Sequence, residues 1–124
     1  MNRSNGLAKA MSRIGSLFRR SKMPAQPKMY VLVRRDLADN YRMVQGYHAL
    51  VAYSMENEIL FNAWGNDTIA VLGARNLIEM KMWEQKLLTL GITHSAFREP
   101  DLDGQITAIA CYHDGECFAM LKPA

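Results

Sequence analysis

An α/β fold, a single domain with a mixed β-sheet flanked by helices, is predicted by three features of this chain. Short apolar runs first alternate with two helical patterns, and helical connections place strands parallel. Toward the C-terminus strand-like runs follow one another through tight turns, which make antiparallel pairs. The third feature is the stretch from Phe97 to Cys111, where a turn bearing Glu99, Asp101 and Asp103 closes on Gly104. Pro100 fixes its own φ and keeps Glu99 extended, so the first strand stops there. The strand that follows, Ile106 to Tyr112, is apolar on both faces, as a strand covered on both sides should be. By itself a carboxylate turn is more often a solvated corner than a site.

Residues 1–28 read as a basic N-terminal extension ahead of a domain at 29–124. Leu7, Met11, Ile14 and Phe18 fall at i, i+4, i+7 and i+11, one stripe of a helix. Gly6 and Gly15 weaken such a helix by about 1 kcal/mol each relative to Ala, so it is expected to form only against something else. Pro24 to Pro27 make a short extended linker. The segment is acid-free and contains Arg and Ser, which also suits a transit peptide. Met23 and Met29 offer downstream starts that would leave it without function.

Within the domain, Met29 to Val33 is the first strand. Tyr41 to Met55 follows as a helix, with Met43, Tyr47 and Leu50, joined by Val44 and Val51, expected to face inward. Ile59 to Trp64 is ambiguous, Gly65-Asn66-Asp67 is a turn, and Thr68 to Leu72 is the second strand. Asn76 to Leu90 is the clearest helix: Asn76 caps it, Glu79 stands three residues on, and Gly91 stops it. Its stripe is Met80, Trp83, Leu87 and Leu90. His94 to Arg98 and Ile106 to Tyr112 are the third and fourth strands. Asp114-Gly115 reads as a two-residue hairpin turn into a fifth, Glu116 to Leu121. In that register Cys111 faces Phe118 and Tyr112 faces Cys117, so the two thiols point to opposite faces and should not bond.

At 124 residues and 49% hydrophobic, the chain has enough mass for one real core. No apolar run approaches ~20 residues, so no membrane span is expected, and the first 28 residues lack a secretory apolar core. Reduced cysteines fit a cytoplasmic location, or a mitochondrial one if the extension is a transit peptide. The net charge of +3 hides an asymmetry: residues 1–28 carry seven basic residues and no acid, whereas the remainder is net −4. A basic tail on an acidic body suggests contact with nucleic acid, an anionic membrane or an acidic partner.

Three ordered segments carry a resemblance. Tyr30 to Leu37 resembles the opening strand of the archaeal and eukaryotic type of peptidyl-tRNA hydrolase. Gln45-Gly46-Tyr47-His48-Ala49 is similar to that family's Gln-x-x-His-Ala on the first helix. Arg98-Glu99-Pro100-Asp101 with Thr107-Ala108-Ile109-Ala110 resembles its acidic turn and following strand, above all in bacterial and phage-borne relatives with a Glu-Pro-Asp turn. The resemblance implies a peptidyl-tRNA hydrolase type fold and hydrolysis of the ester joining a peptide to the 3′ end of tRNA, with no metal and no cofactor. The alternative is an inactive relative that binds tRNA or a protein. A homodimer is open to either. The family places a lysine at the start of the first helix, and here Tyr41 or Arg42 stands in that neighbourhood.

Ester hydrolysis needs an activated water and donors for the developing oxyanion. Gln45 and His48 lie at i, i+3 on one helix, and His48, with an ordinary imidazole pKa of about 6.5, suits a base at neutral pH. Asp101 is a candidate for orienting it or aligning the water, and Thr107 for holding substrate or water. Their bland counterparts are a buried histidine bonded to a carbonyl, a turn-former and an ordinary strand residue. Arg34, Arg35 and Arg42 gather where strand one meets helix one and are candidates for the phosphates of a tRNA acceptor end, or a solvated basic rim. The histidines and cysteines show no metal spacing. Trp64 and Trp83 read as core.

Overall fold

From Lys28 to Arg34 the chain offers mainly β-branched, aromatic and aliphatic side chains, suited to a pleated strand buried on both faces. In the computed structural model, which describes residues 26–124, this run is β1 (Lys28–Arg34), the middle of the sheet. The sheet order is β3-β4-β1-β2-β5, with β2 at Ile69–Ala74, β3 at Ser95–Glu99, β4 at Gln105–His113 and β5 at Lys122–Pro123. β1 runs parallel to β2, Val31 opposite Val71, and antiparallel to β4, Val31 opposite Ala110. β3 folds back antiparallel on β4 through the acidic turn. The expected mixed α/β sheet is therefore present. The helical connection from β2 does not make β3 its neighbour, however: the chain crosses to the far edge, and β4 separates β3 from β1.

Helix α1 (Asp39–Glu56) packs on β4, β3 and β1, and α3 (Leu77–Thr89) on β4, β1 and β2. They take opposite faces. Gly46 of α1 lies against Val31 and Val33, while Tyr30, which points the other way along β1, meets Phe118, whose ring also packs on Trp83 of α3. The ambiguous Ile59–Trp64 run is helical, α2 (Glu58–Trp64). Trp64 is core, its indole N–H donating to the Thr68 carbonyl at 2.8 Å. In α3 the Asn76 side chain accepts the Glu79 N–H at 3.0 Å, and Gly91, at φ +68°, turns the chain out of the helix. Met80 and Leu87 are buried and Trp83 half-buried, but Leu90 is exposed. The helix has already ended there, so the stripe does not carry it inward.

Two expectations are corrected. The buried face of α1 is Gln45, Gly46, Ala49 and Tyr53; Met43, Val44, Tyr47 and Val51 are exposed, and only Leu50 is half-buried. The side lacking a Cβ at Gly46 approaches the sheet most closely: a Cβ there would stand 3.1 Å from Val33 Cγ1. Second, Asp114-Gly115 does not make a hairpin. Gly115, at φ +84°, leads into a 3-10 turn (Glu116–Phe118) that plants Phe118 in the core, and the chain then crosses to pair β5 with β2. The Tyr30 ring occupies the space a side chain at position 115 would need. Both cysteines are free, and burial first, with Cys117 adding, pushes the Cys111 thiol up to about 12. The stripe of Leu7, Met11, Ile14 and Phe18 lies outside the described residues.

Candidate functional site

The site forms where the first half of α1 meets the β3–β4 turn. Pro100 opens a 3-10 turn (Pro100–Leu102), and Glu99, extended at φ −86° and ψ 117°, accepts the Asp101 N–H on its own side chain at 3.1 Å. Asp103 and Gly104 then take positive φ, 56° and 75°, to bring the chain round into β4.

Glu99 is the centre of this corner. Its Oε1 accepts the Gln45 amide at 2.8 Å, and Tyr41 stands near enough to the same carboxylate to favour its charged form. Gln45 Oε1 in turn accepts the Thr107 hydroxyl at 2.5 Å. Gln45 and Thr107 are fully buried and Glu99 is 9% exposed. A continuous relay therefore runs Thr107 → Gln45 → Glu99, joining β4, α1 and the turn. Every buried polar atom needs such a partner, which explains why a helix can turn a glutamine rather than a methionine into the fold. One turn on, the exposed His48 ring stacks on Phe97, centroids 4.4 Å apart and planes 13° apart.

The Asp101 N–H, then the Gln45 amide, hold Glu99 below the usual carboxylate range against the opposing pull of burial; Tyr41 and the charge of His48 add to them. Tyr41 is pushed the other way, raised by burial and then by Glu99 and Asp101. Because the folded pKa of Glu99 lies below its unfolded value, its contribution to stability is full above the ordinary glutamate range and is lost as pH falls through the depressed folded value. Urea unfolding followed from pH 7 to pH 3 should show stability declining below about pH 4.3, less steeply in Glu99→Gln. Asp36, also lowered, keeps some slope in the variant. Equal slopes would mean that the Glu99 carboxylate is not held by these donors.

Of the residues singled out in the sequence, Gln45 and Thr107 are bonded to each other and His48 stands beside them. Asp101 supplies its backbone N–H, while its side chain belongs to an exposed residue. Tyr41, not Arg42, faces the acidic turn. Arg42 turns toward the carbonyls of Arg35 at 2.9 Å and Leu37 at 3.0 Å, with Asp39 at 3.4 Å. Arg34 is buried and committed within the protein: to both Asp36 oxygens at 3.0 and 2.8 Å, to Gln105 Oε1 at 2.9 Å and to the Ile106 carbonyl at 3.4 Å. Arg35 is exposed, its stem crossing Gly73. The three arginines thus do not act as one open phosphate patch. Glu99 was missed as a site residue, although its signal was present: period-two alternation places it beside Phe97 on the helix side of β3. Among the described residues no group of three His, Cys, Asp or Glu side chains is arranged to hold a metal ion, and no helix is long and apolar enough to cross a membrane.

Fold and corner together define an α/β domain with a buried polar relay ending in a carboxylate. Compared with known proteins, the chain matches no family model and no curated protein. Among solved structures it is similar to a protein of unknown function, Atu0240 from Agrobacterium tumefaciens strain C58, with a TM-score of 0.62 and 14% identity over 79% of this chain and 97% of that one. At that identity the likeness establishes a shared fold.

Proposed function

We propose that this protein hydrolyses an acyl ester on tRNA, peptidyl-tRNA or a close relative, at the corner between α1 and the acidic turn. The observation that supports this reading is the exposed His48 imidazole beside a buried, hydrogen-bonded Thr107–Gln45–Glu99 relay. In the reaction His48 takes a proton from water as its oxygen attacks the ester carbonyl. The Tyr41 hydroxyl, kept protonated by its surroundings, is the donor for the oxyanion. Collapse expels the ribose 3′ oxygen, which recovers the proton from His48. Glu99, held charged, favours the imidazolium that forms between the two steps, and exposed Arg35 is available to a phosphate.

A second reading, a tRNA-binding module without turnover, is favoured by Tyr41. It stands at the acidic turn where the resembled family has a lysine, so the carboxylates there meet a phenol instead of a cation. Release of labelled N-acylated amino acid from tRNA separates the two. Under the first reading the unaltered chain turns over well above the spontaneous rate, and Tyr41→Phe, which removes the oxyanion donor, slows it about 100- to 1,000-fold. An unaltered chain that binds tRNA yet releases nothing, with turnover appearing only in Tyr41→Lys, would establish the second reading and end the first.

A further inference from the structure

Helix α1 covers its face of the sheet only in part. It sits over β4, β3 and β1, and on that side β2 is bare: Ile69 and Val71 are 45% and 44% exposed. With Val31 and Val33 they floor an apolar groove of about 620 Å³, walled by Met43 and Tyr47 of α1. The outward residues Val44 and Val51 continue the apolar surface over the helix. A contiguous surface of this kind on strand and helix together marks a place where something docks.

We propose that the occupant is the chain's own N-terminal extension, residues 7–18 lying as an amphipathic helix in the groove. Three observations select it. As a helix these residues put Leu7, Met11, Ile14 and Phe18 on one stripe about 16 Å long. The α1 wall from Asp39 to Leu50 has the same number of residue steps, hence the same length. The tether also starts in the right place. Met29 pairs with Ile69, so the chain enters β1 at the Ile69 end of the groove, and the residues between Phe18 and Lys28 reach up to about 33 Å when extended. Charge agrees as well: the charged residues of the extension are all basic and the domain is net negative. Gly6 and Gly15 make the helix too weak to stand alone, so docking and helix formation occur together.

Hydrogen exchange on the full chain, read by mass spectrometry, tests this. Amides of residues 7–18 should exchange at least about tenfold more slowly than unstructured peptide. Val71→Asp in the groove and Ile14→Asp in the stripe should each abolish that protection, and Ile14→Asp should increase binding of an apolar fluorescent dye. Because Ile14 precedes the domain in sequence, its variant tests the stripe even if Val71→Asp impairs folding, and protection that survives Val71→Asp in a folded chain would overturn the groove as its seat. Unprotected amides in the unaltered chain would overturn the proposal, as would protection that survives Ile14→Asp. Protection that fades on dilution would assign the groove to a second copy and overturn it equally.

Discussion

Arg34→Ala is expected to cost about 1–3 kcal/mol of stability, read as a lower urea midpoint at unchanged m-value. Arg34 is 6% exposed, and its guanidinium joins the end of β1 to Asp36 just beyond it and to Gln105 and the Ile106 carbonyl at the start of β4. Its removal leaves the buried Ile106 carbonyl and the half-buried Gln105 oxygen short of a donor, and an unmet buried acceptor carries its full desolvation penalty. Arg34→Lys should recover little, because an ammonium cannot repeat the planar fork that grips both Asp36 oxygens. The side-chain bond from Arg34 is the leading cause of the lowered Asp36 pKa. The Asp36 part of the stabilisation is therefore present above the ordinary aspartate range and fades in acid. Since the Asp36 side chain is 38% exposed, that part is the smaller one, and most of the deficit should persist at low pH. A loss below about 1 kcal/mol, the range of a surface ion pair, would show that this network does not hold the strands.

His48→Ala is expected to slow acyl release about 100- to 10,000-fold, the usual contribution of a general base, with little change in KM. The side chain is exposed and its one described packing partner is Phe97, so the thermal transition should move little. Gln45→Ala should behave differently: it breaks the relay at two bonds, to Thr107 and to Glu99, and should lower stability and rate together. Asp101→Asn keeps the backbone N–H that Glu99 accepts, so its effect should be mild. A His48→Ala protein that releases acyl groups at the parent rate would remove His48 from the chemistry and the proposed mechanism with it.

Local chemistry determined much of this molecule in advance. The Asn76 cap and Gly91 stop delimit α3 within a residue or so, the apolar run after Lys28 makes the central strand, and Pro100 with Asp103-Gly104 builds the acidic turn. These rest on φ preferences and neighbouring hydrogen bonds, which a short stretch of chain carries complete. The i, i+3 spacing of Gln45 and His48 also located the helix of the site. Tertiary structure alone decided which way that helix faces. Apolar residues occur over much of α1, so periodicity favours Met43, Tyr47 and Leu50 with Val44 and Val51, yet Gly46 allows the closest approach to Val31 and Val33. The burial of Gln45 that follows is tolerated only because Glu99 and Thr107, 54 and 62 residues away in the chain, complete its hydrogen bonds. The same distant partners made Glu99 the centre of the corner and brought Tyr41 rather than Arg42 to it. The last strand shows the rule again: Asp114-Gly115 is a sound hairpin signal, overridden because Phe118 finds Tyr30 and Trp83 and β5 finds the open edge of β2. Contacts between residues far apart in the chain reward one arrangement over another only after the sheet exists, and no local pattern records them.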